Sequence, residues 1–74
     1  MVIKMTLMNA IEGTEYEIKS ISTNDEELNS FLFSLGCYSG EKITVVFHLK
    51  NSCVVSIKDS RYNIDSALAS AIEI

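Results

Sequence analysis

The side chains that could carry chemistry are few in this chain, which has one histidine, His48, and two cysteines, Cys37 and Cys53. These soft metal ligands form neither a paired-cysteine motif nor a pair of histidines. The predicted strands also turn Cys53 inward and His48 outward. We therefore expect Cys53 to act as a small core hydrophobe and Cys37 to be more exposed while packing beside the helix end. His48 and Cys37 are the alternative ligands for a weakly bound divalent metal.

Catalytic chemistry has little support in the sequence. General acid–base catalysis needs a titrating group that is held against a partner, and His48 has no orienting carboxylate evident in the sequence. Asp25 and Glu26 form an acidic pair, but this position is typical of a helix start, where such residues cap the helix and favour its dipole. The three glycines are isolated rather than clustered as in a phosphate-binding loop. We predict that the chain is not an enzyme.

Two aromatic side chains indicate function by binding. Phe33 lies off the apolar stripe of the predicted helix, and Tyr38 lies in the loop that follows, where an aromatic ring is partly exposed. The equally favoured alternative is that Phe33 covers a second side of the domain and Tyr38 closes its mouth. Arg61 is expected to be solvated or to pair with an acidic partner. The predicted partner-binding residues are Phe33, Cys37, Tyr38, Ser39, Gly40, Glu41, Lys42 and Arg61.

One amphipathic helix must position this surface. Its apolar residues recur at i, i+3, i+4 and i+7, which predicts a helix over about 25–35 with one apolar stripe. Thr23 or Asn24 can cap its N-terminus, and Gly36 can end it in the left-handed conformation. The stripe consists of Leu28, Phe31, Leu32 and Leu35.

Short strands account for most of the remaining chain. Alternating apolar and polar residues predict strands over about 15–21, entered through a turn at Gly13, and over 42–49 and 53–58. A turn at Asp59-Ser60 then leads into a third meander strand. Residues 65–70 predict a helical turn capped by Asp65, and 71–74 alternate like a closing strand. One helix with about five short strands favours a small curled sheet or SH3-like barrel.

The register of the meander follows from its loops. A three-residue loop over 50–52 pairs Leu49 with Cys53, and the second turn places Tyr62 opposite Ile57 and Ile64 opposite Val55. The predicted inward face of the first hairpin comprises Ile43, Val45, Phe47, Leu49, Cys53, Val55 and Ile57.

Length and charge exclude several classes of protein. Seventy-four residues make a single domain, 1–74, and the net charge of -4 disfavours binding to nucleic acid. Two cysteines are too few for a secreted disulfide framework, and the N-terminal residues lack the long apolar core of a leader. The apolar runs are far shorter than the roughly 20 residues that cross a bilayer. We expect a cytoplasmic domain.

Three stretches together resemble the FeoA family. The first runs from Phe31 to Val45 and reads as a helix ending in Leu35-Gly36, then a loop ending in glycine before a strand. The second, from Leu7 to Ile21, is similar to the opening segment of that family. The third, from Asp59 to Ile74, is similar to its closing turn, Arg-Tyr strand, short helix and final strand. The resemblance therefore covers essentially the whole chain.

Two features depart from the pattern of that family. Ser39 stands where proline is usual, so the loop is less restricted in φ. Asn29 and Ser30 stand where basic residues are common in the helix. A contact that relatives make through a basic helix face is therefore not carried over to this chain.

The resemblance implies a small α+β, mainly β protein: a five-stranded SH3-like barrel with one helix between the first and second strands and a helical turn before the last. It also implies a cytoplasmic accessory of bacterial ferrous iron uptake that binds FeoB, a membrane transporter with a G-protein domain. Similar domains also occur at the C-terminus of iron-dependent repressors. This chain has no room for a DNA-reading helix-turn-helix and is acidic, so the resemblance favours the transport accessory. No cofactor is expected.

Two other functions stay open. A metal sensor or chaperone would use His48, Cys37 or acidic side chains to bind a divalent metal such as Fe²⁺. A peptide-binding SH3 module is disfavoured by the absence of tryptophan. The oligomeric state is not evident from the sequence, although 72–74 could pair between copies at a sheet edge, where Glu73 would limit the pairing.

Overall fold

The computed structural model describes residues 5–74. Residues 1–4, on which the predicted absence of a leader depends, lie outside this range. Within it, a 3₁₀ turn at Leu7–Asn9 precedes the regular elements. These are β1 (Glu15–Glu17), β2 (Ser20–Ile21), α1 (Glu26–Leu35), β3 (Lys42–His48), β4 (Ser52–Ile57), β5 (Ser60–Asp65), α2 (Ser66–Ser70) and β6 (Ile72–Glu73). In the described part of the chain, no helix is both long and apolar enough to span a membrane.

The strands form two antiparallel sheets that share one bent segment. One sheet has the order β1-β3-β4-β5, and the other pairs β2 with β6. The predicted first strand, 15–21, is therefore divided between the sheets. At the bend, the Ile18 amide donates to the Glu41 carbonyl and the Ile18 carbonyl accepts from the Gly40 amide, each at 2.8 Å. Counted as one bent strand, β1 and β2 give the five strands predicted.

The first hairpin contains a bulge that the sequence did not reveal. Val45 pairs with Val55, but Phe47 pairs with Val54 and His48 with Cys53, so β3 carries one extra residue between the matched pairs. The predicted pairing of Leu49 with Cys53 was therefore wrong. Beyond the bulge the faces exchange, because side chains alternate along a strand. The Phe47 and Leu49 side chains, predicted to be inward, are exposed, whereas Ile43, Val45, Cys53, Val55 and Ile57 are buried as predicted.

The second hairpin turns one residue earlier than expected. Ile57 pairs with Ser60, so the turn residues are Lys58 and Asp59, with φ of 49° and 69°. Positive φ at both central residues matches the right-handed twist of the flanking strands. Tyr62 accordingly lies opposite Val55, not Ile57. The partner of Tyr62 on β4 therefore moves by two residues, from Ile57 to Val55. Because side chains alternate along a strand, Tyr62 and Ile64 keep the inward face that was predicted.

Helix α2 supplies Leu68 and Ala69 to the hydrophobic core and contacts β4, β5 and β6. Asp65 caps this short helix, as predicted, and accepts a hydrogen bond from the Leu68 amide at 2.8 Å. The buried side chains are Leu7, Ala10, Ile18, Leu32, Cys37, Ile43, Val45, Cys53, Val55, Ile57, Ile64, Leu68, Ala69, Ile72 and Ile74.

The closing strand is paired on both sides. β6 pairs with β2, while Thr6 forms a bridge with Glu73 and the Ile74 amide donates to the Met5 carbonyl. The prediction that 72–74 could lie at a sheet edge was wrong. We therefore do not expect this strand to pair between copies.

Candidate functional site

Helix α1 has a single fully buried side chain. Leu32 is 1% exposed, whereas Leu28 is 39% and Phe31 is 49% exposed. The predicted helix is confirmed, but only Leu32 of its apolar stripe is fully buried, and Leu35 is half-buried. Much of the stripe faces solvent, which leaves a surface that a partner could cover.

Both ends of α1 are capped. The N-cap is Asp25, whose carboxylate accepts from the amides of Glu27 and Leu28 at 2.9 and 3.3 Å. The predicted caps, Thr23 and Asn24, were one to two residues too early. Gly36 ends the helix in the left-handed conformation with φ of 89°, as predicted, and the Cys37 amide donates to the Leu32 carbonyl at 2.9 Å.

This C-terminal cap brings together the two aromatic residues of the predicted binding surface. Phe33 and Tyr38 have ring centroids 5.1 Å apart with planes tilted by 35°. This separation lies in the range of favourable aromatic pairs. Phe33 is nevertheless 67% exposed, while Tyr38 is half-buried beside it. We call these two residues the aromatic pair.

Lys58 joins the aromatic pair from the β4–β5 turn. Its ammonium donates to the Tyr38 hydroxyl at 2.8 Å, lies 5.2 Å from the centroid of that ring and is 3.7 Å from a Glu41 carboxylate oxygen. The hydrogen bond to Tyr38 raises the pKa of Lys58; desolvation opposes this shift, and the Glu41 charge adds to it. Lys58 was not predicted from the sequence, because its partners lie about 20 residues away and only the folded turn directs its side chain toward them.

The rest of the predicted loop is fastened to the bend between β1 and β2. The Ser39 hydroxyl donates to the Lys19 carbonyl at 2.8 Å, and the Gly40 amide donates to the Ile18 carbonyl. Gly40 has φ of 93°, a conformation that other residues rarely adopt. The loop therefore presents Tyr38 and Glu41 in a defined conformation.

The remaining predicted site residues lie outside this contact cluster. Lys42 is the first residue of β3, paired with Glu17, and Arg61 lies on β5 opposite Ser56. Both side chains are exposed. The structure thus brings Phe33, Tyr38 and Glu41 together around Lys58 and leaves Lys42 and Arg61 as separate surface charges.

Cys37 is 2% exposed and Cys53 is 0% exposed, so both cysteines are buried and the exposure expected for Cys37 is not found. The left-handed turn at Gly36 directs the chain back over the barrel, and the thiol packs into the core. Its packing beside the helix end is as predicted. Burial removes water from the sulfur and raises the thiol pKa from its ordinary 9.0 to about 11. The nucleophilic thiolate is therefore disfavoured at neutral pH.

We expect the free energy of unfolding to fall as pH rises from about 9 to about 11. Below pH 9 the Cys37 thiol is protonated in both states, but above it the unfolded chain releases this proton while the native state retains it. The loss should be on the order of 2 kcal/mol. Urea unfolding at several pH values measures it. Cys37→Ala is the control for other groups that titrate there, and an equally steep decline in this variant would contradict the prediction.

His48 lies on the face of Cys53, not on the outer face as predicted, because the bulge exchanges the faces of β3. Its Nε2 is 3.1 Å from the Leu7 carbonyl and its Nδ1 is 3.6 Å from a Glu12 carboxylate oxygen. That oxygen also accepts from the His48 amide at 2.6 Å. Both ring nitrogens face protein oxygens, which favours a structural role. Across residues 5–74, no three His, Cys, Asp or Glu side chains are grouped so as to hold a metal ion.

Solved structures with the same fold include proteins of iron transport. Iron(II) transport protein A from Clostridium thermocellum is 25% identical, with a TM-score of 0.84 and coverage of 93% of this chain and 43% of that one. The iron uptake regulatory protein FeoA is 20% identical, with a TM-score of 0.81 and coverage of 97% and 94%. Stenotrophomonas maltophilia FeoA, a procaryotic SH3 domain protein solved with zinc, is 19% identical, with a TM-score of 0.79 and coverage of 92% and 86%.

These similarities confirm the predicted SH3-like fold. The chain spans less than half the length of the C. thermocellum structure but most of the two FeoA structures. No curated protein gives a significant sequence match. The model of the FeoA domain matches residues 5–74, which include every element described above. By this match over nearly its full length, the chain belongs to the FeoA domain family.

Proposed function

We propose that this domain is a cytoplasmic accessory of bacterial ferrous iron uptake and that it acts by binding a membrane transporter of the FeoB type. Membership of the FeoA family supports a role in ferrous iron transport. The S. maltophilia relative has been put forward as an activating factor for ferrous iron transport. Direct binding to the transporter, the more specific part of the proposal, is supported by the exposed apolar side chains of this domain.

The observation that carries the proposal is the exposure of large apolar side chains along α1. Phe33 stacks on Tyr38 yet remains mostly exposed, and Leu28 and Phe31 of the same helix are partly exposed. An aromatic ring that stands on an ordered support suits an interface, because little side-chain freedom is lost on binding. The docking surface that we propose comprises the exposed face of α1, the aromatic pair and Glu41.

The charges beside this surface indicate the chemistry of its partner. Glu26 and Glu27 are exposed in the first turn of α1, and the chain from Asp25 to Glu41 contains no basic residue. Glu27 precedes Phe31 by one helical turn, so acidic and apolar side chains are neighbours. We therefore expect the transporter to present apolar side chains flanked by basic ones. Charge complementarity of this kind mainly raises the rate of association.

An NMR titration tests the proposal. The ¹⁵N-labelled domain is titrated with the cytosolic region of the cognate transporter, and the amide resonances are followed. We expect the largest shifts in α1 and in the loop to Lys42. The end of β5 remote from the Lys58–Asp59 turn, where Asp65 pairs with Ser52, serves as an internal reference.

Two results would count against the proposal. Absence of shifts at transporter concentrations up to about 1 mM would exclude even weak docking to this region. Shifts confined to β4 and β5 would retain the transporter as partner but would place the contact elsewhere on the barrel. In either case the exposed apolar residues of α1 would require another explanation.

A further inference from the structure

Lys58 occupies a turn whose backbone conformation is unusual for its residue type. Both turn residues, Lys58 and Asp59, have positive φ, although hairpin turns of this kind favour glycine or asparagine. Such backbone strain is often found at functional sites. Here the turn directs the Lys58 side chain away from its own hairpin and toward the α1–β3 connection.

The aliphatic part of Lys58 crosses the C-terminal cap of α1. A Cβ atom placed on Gly36 would lie 3.3 Å from Lys58 Cδ and 3.4 Å from Cε. The Lys58 side chain therefore packs on the bare backbone of Gly36. The glycine serves two purposes, since it allows the left-handed cap and leaves room for this crossing.

The ammonium end of Lys58 makes contacts with two different loop residues. It donates to the Tyr38 hydroxyl, and it forms a longer ion pair with Glu41. The same ammonium lies 5.2 Å from the centroid of the Tyr38 ring, beyond its hydroxyl edge. One side chain thus ties the β4–β5 turn, the helix end and the loop together. Tyr38 thus contacts both Phe33 and Lys58.

We propose that Lys58 is a positioning residue of the docking surface, which fixes Tyr38 as the support of Phe33 and thereby sets the affinity for the partner. The expected effect on affinity rests on the proposed function, whereas the expected effect on the free domain does not. Without the ammonium, Tyr38 has no side-chain partner for its hydroxyl among the contacts of residues 5–74. The aromatic pair would then sample conformations that do not fit the partner, which lowers the apparent affinity.

Lys58→Met is the informative variant, because it keeps the aliphatic stem over Gly36 and removes only the ammonium. In the free domain we expect smaller ring-current shifts on the Tyr38 ring protons and lower amide order parameters over residues 38–41. We expect binding of the cytosolic transporter region to weaken by about three- to tenfold. Lys50→Met, with the same change in charge on the neighbouring hairpin loop, should leave all three quantities unchanged.

A second variant distinguishes positioning from a general loss of packing. Tyr38→Phe keeps the ring but removes the hydroxyl that Lys58 binds, so it should reproduce much of the Lys58→Met effect. Combined, the two changes should weaken binding by less than the product of their separate effects. Fully multiplicative effects would overturn the inference.

The two parts of the experiment separate this inference from the proposed function. Wild-type ring-current shifts and order parameters in free Lys58→Met would overturn the positioning role. A disordered loop with unchanged affinity would overturn its importance for docking. If the wild-type domain does not bind the transporter at all, the proposed function fails, while the free-domain measurements still decide whether Lys58 holds the aromatic pair.

Discussion

Replacing Leu32 with alanine is expected to lower the free energy of unfolding by about 3 kcal/mol, in the middle of the range for buried leucine. Leu32 is 1% exposed and is the one residue of α1 that is fully buried. A domain of this size without disulfides has only about 3–5 kcal/mol of stability. The variant should therefore be close to its unfolding midpoint without denaturant. Urea unfolding followed by circular dichroism measures the change.

The matched control for Leu32→Ala is the same substitution one turn earlier, Leu28→Ala. Leu28 is 39% exposed and should lose about 1 kcal/mol or less, since less apolar surface returns to water and no closed cavity forms. Equal losses for the two leucines would mean that α1 packs through its whole stripe. That result would also remove the exposed surface on which the proposed function depends.

The two leucines show what the helical pattern could and could not predict. The spacing of Leu28, Phe31, Leu32 and Leu35 identified α1 to within one residue, because an apolar stripe, an acidic start and a final glycine all indicate the same segment. The pattern marks an apolar face, but it does not specify whether this chain or another protein covers that face. Only the structure shows that Leu32 alone of these four residues is fully buried.

For the strands, alternation of apolar and polar residues predicted the buried side chains better than the loops predicted the strand pairing. Alternation assigned Val45, Val55 and Ile64 to the core correctly, since a side chain's face depends only on its position along its own strand. Pairing failed where the backbone departs from regular geometry. The bulge before Phe47 has no glycine to indicate it, and it exchanges the faces of Phe47 and His48.

The residues of the candidate site that lie close together in the sequence were predictable. Phe33 and Tyr38 were identified because each is an aromatic residue without an evident place in the core. Their stacking follows from the cap at Gly36, which the sequence also indicates. Lys58 was not predictable, because a lysine with positive φ runs against residue preference. Nothing short of the folded hairpin shows that its ammonium reaches Tyr38.

Phe33→Ala is expected to weaken binding of the transporter's cytosolic region by about 30-fold, equivalent to about 2 kcal/mol. The Phe33 ring is the most exposed large apolar side chain of the docking surface and packs on Tyr38, so its removal deletes a major apolar contact. Domain stability should change little, since 67% of the side chain is already exposed. Isothermal titration calorimetry gives the affinity, and urea unfolding verifies the fold.

Phe47→Ala is the matched control for Phe33→Ala, because it removes the same side chain from another exposed position. Phe47 is 42% exposed and lies on β3, just past the bulge, outside the proposed docking surface. Its loss should change the affinity by less than about twofold. If both variants weaken binding equally, general surface hydrophobicity drives the association. If only Phe47→Ala weakens it, the partner docks on the bulged end of the barrel and α1 is not the contact.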